Sequence, residues 1–104
     1  DPEEEVTVTS GATEGLCATF LALLEPGDEV ILLEPTYDAY PPLAALARAR
    51  VRYVPLQGPQ FELSEEALTR AFTPATRAIV INSPQNPCLE LSVFHIHELN
   101  VRDE

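Results

Sequence analysis

Ser10, Gly11, Ala12 and Thr13 are the residues of this sequence best suited to hold an anion. They lie between a β-branched run, Val6-Thr7-Val8-Thr9, and an apolar helical pattern that starts at Thr13 and continues through Leu24. A strand, a small-residue turn and a helix start leave backbone N–H groups without intrahelical acceptors at one point. The positive end of the helix dipole adds to their pull on a phosphate. A plain strand–loop–helix corner with nothing bound accounts equally well for these ten residues alone. Two other stretches carry groups that could meet a ligand. Pro35-Thr36-Tyr37-Asp38-Ala39-Tyr40 offers aromatic faces, and Ser83-Pro84-Gln85-Asn86-Pro87 offers the Asn86 amide, which can donate and accept. Tyr37 could equally pack on its own domain, and an Asn beside Pro commonly caps a loop.

Other chemistries are poorly represented. All six basic residues are Arg, so any reaction that needs a lysine amine cannot be run by this chain alone. His95-Ile96-His97, with Cys88 or Glu98, is a loose metal pair without the closed four-ligand pattern expected of zinc, and two packed or exposed histidines explain it better. No Ser-His-Asp or Cys-His arrangement stands out, and Glu65-Glu66 fits the first turn of a helix. Ser-Gly-Ala-Thr-Glu-Gly lacks the G-x-G-x-x-G spacing of a dinucleotide loop. There is no internal repeat.

The elements that must position these groups alternate. Residues 6–9 read as a strand and 13–24 as a helix that is apolar on nearly every side, so it needs more than one neighbour. Glu25-Pro26-Gly27-Asp28 ends it. Residues 29–34 hold the continuous run Val-Ile-Leu-Leu, the mark of a strand buried on both faces. Pro41-Pro42 suits a helix start, followed by a short helix over 43–49. Residues 50–56 form a strand whose alternation and Pro55 suggest an edge. Ser64 caps a helix that runs to about Phe72, and 77–82 form another apolar strand. This is the βαβα pattern of an α/β fold with a parallel sheet, in which ligands sit beyond the carboxyl ends of the strands. The stretches 10–13, 35–40 and 83–87 share that edge. Residues 88–104 fit less well: 89–93 alternate like a strand, and a helix could start within 95–100.

Length and charge bound the rest. A chain of 104 residues holds one domain at most. A formal net charge of −11 argues against nucleic acid and against an anionic membrane surface. No apolar run approaches the roughly 20 residues that span a bilayer. Cys17 and Cys88 make no disulfide framework, which points to a reducing compartment, the cytoplasm. The N-terminus is acidic, unlike a signal peptide.

Four pieces, in order and spacing, resemble one family: Thr9-Ser10-Gly11-Ala12-Thr13-Glu14, Glu25-Pro26-Gly27-Asp28-Glu29-Val30, Glu34-Pro35-Thr36-Tyr37-Asp38-Ala39-Tyr40 and Asn82-Ser83-Pro84-Gln85-Asn86-Pro87. The sequence is similar to the large domain of fold-type I, pyridoxal-phosphate-dependent aminotransferases of class I/II, in the branch that includes kynurenine and glutamine transaminases. The resemblance implies a three-layer α/β/α parallel sheet, a partial cofactor-binding large domain over 1–87 and a divergent tail over 88–104. It implies pyridoxal 5′-phosphate as cofactor, amino acids and 2-oxo acids as substrates, and a homo-oligomer. Backbone N–H groups of Gly11 and Ala12, with Thr13, would hold the phosphate. Tyr37 would stack on the pyridine ring, and Asn86 would hydrogen-bond the ring hydroxyl oxygen and help seat a substrate carboxylate.

The departures are equally specific. Where the family continues Asn-Pro with Thr-Gly, this sequence has Cys88-Leu89-Glu90-Leu91. The family's pyridine-binding Asp, Schiff-base Lys and carboxylate-binding Arg have no counterparts here. In the family, the strand matching 6–9 lies at the far side of a seven-stranded sheet, while those matching 30–33, 52–54 and 78–81 cluster at the other. The expectation is therefore a piece of something larger, a truncated product, or an assembly whose edges are covered by copies of itself. The alternative function is a non-catalytic relative that binds at most a phosphate or a partner.

Overall fold

The computed structural model describes residues 1–87. The 89–93 alternation, the helix start within 95–100 and the His95/His97 pair lie outside the described residues. The element order is α1 (Gly11–Leu23), β1 (Glu29–Glu34), α2 (Tyr40–Leu46), β2 (Arg50–Pro55), α3 (Glu65–Ala71) and β3 (Thr76–Val80).

The three strands form one parallel sheet in the order β2-β1-β3. The central strand is the continuous apolar run: Val30, Ile31 and Leu32 are fully buried, and Leu33 nearly so. Because strand side chains alternate, Val30 and Leu32 face one layer and Ile31 and Leu33 the other. Phe20 and Leu24 of α1 and its end, with Ala44 of α2 and Ala47, cover the first face. Leu68 and Ala71 of α3, with Val54 of β2, cover the second. The fold is thus the expected three-layer α/β/α arrangement; β2 is an edge strand, as its Pro55 suggested, and β3 forms the other edge among the described residues.

Residues 6–9 do not form a strand. Val6 and Val8 are exposed, at 65% and 94%, and neither sheet edge pairs with this segment. β-branched residues favour a strand only where a neighbouring ladder and a packing face exist. Neither edge of the sheet that the described residues build meets this segment, so it stays unpaired.

Helix limits also differ from the sequence reading, for local reasons. α1 begins at Gly11 rather than Thr13, since the turn is made at Gly11 itself, with φ +83°. α2 begins at Tyr40, with its prolines inside the first turn, where N–H groups lack acceptors anyway. It ends at Leu46 rather than Ala49 because Arg48 turns left-handed (φ 60°) and the Ala49 N–H reaches back to the Ala44 carbonyl. That is the helix stop usually made with Gly, and nothing in Ala-Arg-Ala-Arg announces it. Ser64 caps α3 as expected, its hydroxyl accepting from the Ala67 N–H at 3.2 Å.

If burial of β1 on both faces holds the fold together, Ile31→Ala and Leu32→Ala should each cost roughly 2–5 kcal/mol in urea unfolding of the full chain. Val8→Ala should stay within about 0.5 kcal/mol. Equal costs at Val8 and Leu32 would contradict this assignment.

Candidate functional site

α1 is followed at once by the turn Glu25-Pro26-Gly27-Asp28, where Asp28 Oδ2 accepts from the Glu25 N–H at 2.9 Å. The chain then enters β1. So α1 runs antiparallel to β1, and Phe20 and Leu24 pack on the strand's Val30/Leu32 face. Thirteen helical residues and six extended ones both span about 20 Å. The start of α1 therefore lies level with the carboxyl end of the sheet.

At that start, Thr9 and Gly11 form a tight local turn. The Gly11 N–H donates to the Thr9 carbonyl at 2.9 Å, and the Thr9 hydroxyl donates to the Gly11 carbonyl at 2.9 Å. The Ser10 N–H donates to the Glu14 carboxylate. A Cβ built at Gly11 would meet nothing within 4 Å, so the space before the helix is open. Among the sequence-derived phosphate donors, the Gly11 amide is thus occupied by its own turn. Ala12 and Thr13 follow it in the first helical turn, where backbone N–H groups have no intrahelical acceptor. Glu14 places a carboxylate in the same turn, which opposes the helix dipole as a source of attraction for an anion.

The second stretch leaves the end of β1. The Tyr40 N–H donates to the Tyr37 carbonyl at 3.1 Å, closing a turn that leads into α2. The two rings meet edge to face, with centroids 5.5 Å apart and planes at 80°. This contact holds the Tyr37 ring upright while leaving it 37% exposed. Burial raises the Tyr40 phenol above its ordinary value near 10, and repulsion from a charged Tyr37 phenol adds to the rise.

The third stretch leaves the end of β3. Asn86 is exposed, and its neighbour Gln85 is buried, at 3%. The Gln85 Nε2 donates to the Pro35 carbonyl at 2.7 Å, across 50 residues of sequence. The structure thus joins the Tyr37 and Asn86 loops directly, and α1 begins at the same end of the sheet. Gln85 escaped the sequence reading because Gln is mostly found at the surface; its place between prolines was the one available hint.

The grooves along α1 are elsewhere. One, of about 320 Å³, lies between α1 and β3 and is lined by Leu16, Phe20, Leu24 and Val80 among others. A second, of about 560 Å³, runs between α1 and residues 7–9 and touches Ala12. Neither includes Tyr37 or Asn86. Among the described residues, no group of three His, Cys, Asp or Glu could hold a metal, and no helix is long and apolar enough to cross a membrane.

The family profile "Aminotransferase class I and II" matches residues 1–89. The chain belongs to this aminotransferase family. It is 56% identical over 89 residues to the probable N-succinyldiaminopimelate aminotransferase of Mycobacterium tuberculosis, covering 84% of this chain and 22% of that protein. It is 39% identical over 95 residues to the probable kynurenine–oxoglutarate transaminase of Saccharomyces cerevisiae, covering 81% of this chain and 21% of that one. Its structure superposes on that of a methionine aminotransferase from Escherichia coli with a TM-score of 0.84, at 38% identity, over 88% of this chain and 24% of the other. This aminotransferase chain spans about a fifth of the length of these relatives.

The tyrosine pair gives a pH prediction. A group whose folded pKa is raised holds its contribution below the unfolded value and loses it as pH climbs through the folded value. Tyr40 should therefore titrate above 10 by ring NMR, and stability should fall with rising pH in that range. Tyr37→Phe should move the Tyr40 titration back only part of the way, since burial remains. A Tyr40 titration at or below 10 would contradict the geometry.

Proposed function

We propose that this chain forms part of the cofactor site of a pyridoxal-5′-phosphate-dependent aminotransferase that moves an amino group between an amino acid and a 2-oxo acid. The observation that carries this reading is that the three motif stretches of an aminotransferase chain lie at one end of its parallel sheet, two of them tied by Gln85.

The residues fit a phosphate-bearing aromatic ligand in kind. The first-turn amides of Ala12 and Thr13, with the Thr13 hydroxyl, would hold the phosphate, and the Gly11 turn shapes the approach. The exposed face of Tyr37 would stack on the pyridine ring, braced from the side by Tyr40. The Asn86 amide, exposed on the loop that Gln85 ties to the Tyr37 loop, would donate to the ring hydroxyl oxygen and help seat a substrate carboxylate. When bound, the cofactor supplies an electron sink for amino-group chemistry. With no lysine in the sequence, the amine that attaches the cofactor would come from outside this chain. The part-buried free thiol of Cys17 supports a reducing, cytoplasmic setting. The exposed leucines of α1, Leu21 and Leu23, support assembly with further copies.

Pyridoxamine 5′-phosphate, which needs no lysine for binding, tests the reading by calorimetry on the full chain. Saturable binding displaced by inorganic phosphate is expected. Ala12→Pro removes one first-turn N–H where proline is tolerated, and should weaken binding about tenfold, the scale of one charge-assisted hydrogen bond. Absence of saturable binding, or no effect of Ala12→Pro, would overturn the phosphate assignment.

A further inference from the structure

We propose that Gln85 is a positioning residue: its side-chain amide fixes the loop that carries Asn86 against the loop that carries Tyr37. This role rests on the cofactor reading above.

The two loops are short of backbone donors. Pro84 and Pro87 have no N–H to donate, and Pro35 has none either. The loops therefore have fewer backbone donors with which to join each other. Among the described residues, the bond from Gln85 Nε2 to the Pro35 carbonyl, 2.7 Å long, is the hydrogen bond that links 83–87 to another part of the fold. Gln85 is buried at 3% exposure while Pro84 and Asn86 on either side are exposed. A long polar side chain buried inside an exposed loop is held by its partner rather than by solvent.

The flanking geometry makes the bond directional. Proline fixes φ at Pro35, Pro84 and Pro87, so both ends of the bond sit on stiff backbone. Tyr37 lies two residues beyond the acceptor, and Asn86 is the residue after the donor. A single bond between stiff segments sets the separation of the Tyr37 ring and the Asn86 amide before any ligand arrives, which lowers the ordering cost of binding. The chemistry calls for Gln. Glu would set a carboxylate oxygen against the Pro35 carbonyl oxygen, Asn would fall one methylene short, and Ala would leave the carbonyl without its donor.

Two measurements on the full chain test this, with Gln85→Ala and Gln85→Glu compared to the wild type. In the absence of ligand, both variants should move the backbone NMR signals of Tyr37 and Asn86 while those of Leu68 and Ala71, on the opposite face of the sheet, stay in place. In titrations, pyridoxamine 5′-phosphate should bind about tenfold more weakly to each variant, whereas inorganic phosphate, which needs only the start of α1, should change by less than about twofold. Equal losses for both ligands, or unmoved Tyr37 and Asn86 signals, would overturn the positioning role. Wild-type chain that fails to bind pyridoxamine 5′-phosphate at all would overturn the cofactor reading and this role with it, while the ligand-free spectra would still report whether the tie between the loops exists. If Gln85→Ala unfolds, shown by loss of the Leu68 and Ala71 signals, the near-isosteric Gln85→Glu decides.

Discussion

A strand with apolar side chains on both sides cannot be satisfied by a two-layer fold, and β1 is such a strand. Val30, Ile31, Leu32 and Leu33 are removed from water on both faces at once. Each fully buried side chain of this size contributes on the order of 1.5–3 kcal/mol relative to exposure, so leaving either face open would forfeit much of a domain's net stability. Two helices must cover one face and a third the other. The short connections from each helix into the next strand then make the strands parallel. Parallel strands put all their exits at one end, and the 35–40 and 83–87 loops are the exits of β1 and β3.

The two ends of the sheet are built differently. At the amino end, Glu29 is buried at 8% and accepts from the Thr73 hydroxyl at 2.6 Å, with Arg50 and Arg52 at 3.5 and 3.8 Å. Arg77 reaches Asp28 at 3.7 Å. The exposed arginines contribute little each, and the buried hydrogen bond is the stronger part of this network. It ties the start of β1 to the turn before β3. At the carboxyl end, stiffness comes from prolines and from one side-chain amide, which leaves polar groups facing outward. The proposed cofactor site lies at this second end, away from the charged network that holds the strands.

The central strand was legible in the sequence because burial on both faces writes an uninterrupted apolar run, Val-Ile-Leu-Leu in β1; the Ala-Ile-Val run of β3 also marked a strand, although β3 lies at an edge and is only half-buried. Ser64 and the Pro41-Pro42 pair marked helix starts through simple backbone chemistry. What was not legible depended on partners. Residues 6–9 have strand composition, yet strand pairing is a property of two segments, and the described residues hold no mate for them. Arg48 ends α2 with a left-handed backbone that its side chain does not advertise. The Gly11 amide was expected to face a ligand, but a turn bond to Thr9 takes it, and no spacing rule distinguishes those outcomes. Gln85 was invisible because the bond that buries it closes across 50 residues.

The central claim is that the start of α1, Tyr37 and Asn86 act on one ligand. The most direct measurement follows the backbone amide spectrum of the full 104-residue chain as pyridoxamine 5′-phosphate is added. The account predicts that signals of Ala12, Thr13, Tyr37 and Asn86 shift together along one saturation curve. Shifts confined to the amino-end arginines Arg50, Arg52 and Arg77, or separate curves for the helix start and the two loops, would contradict it.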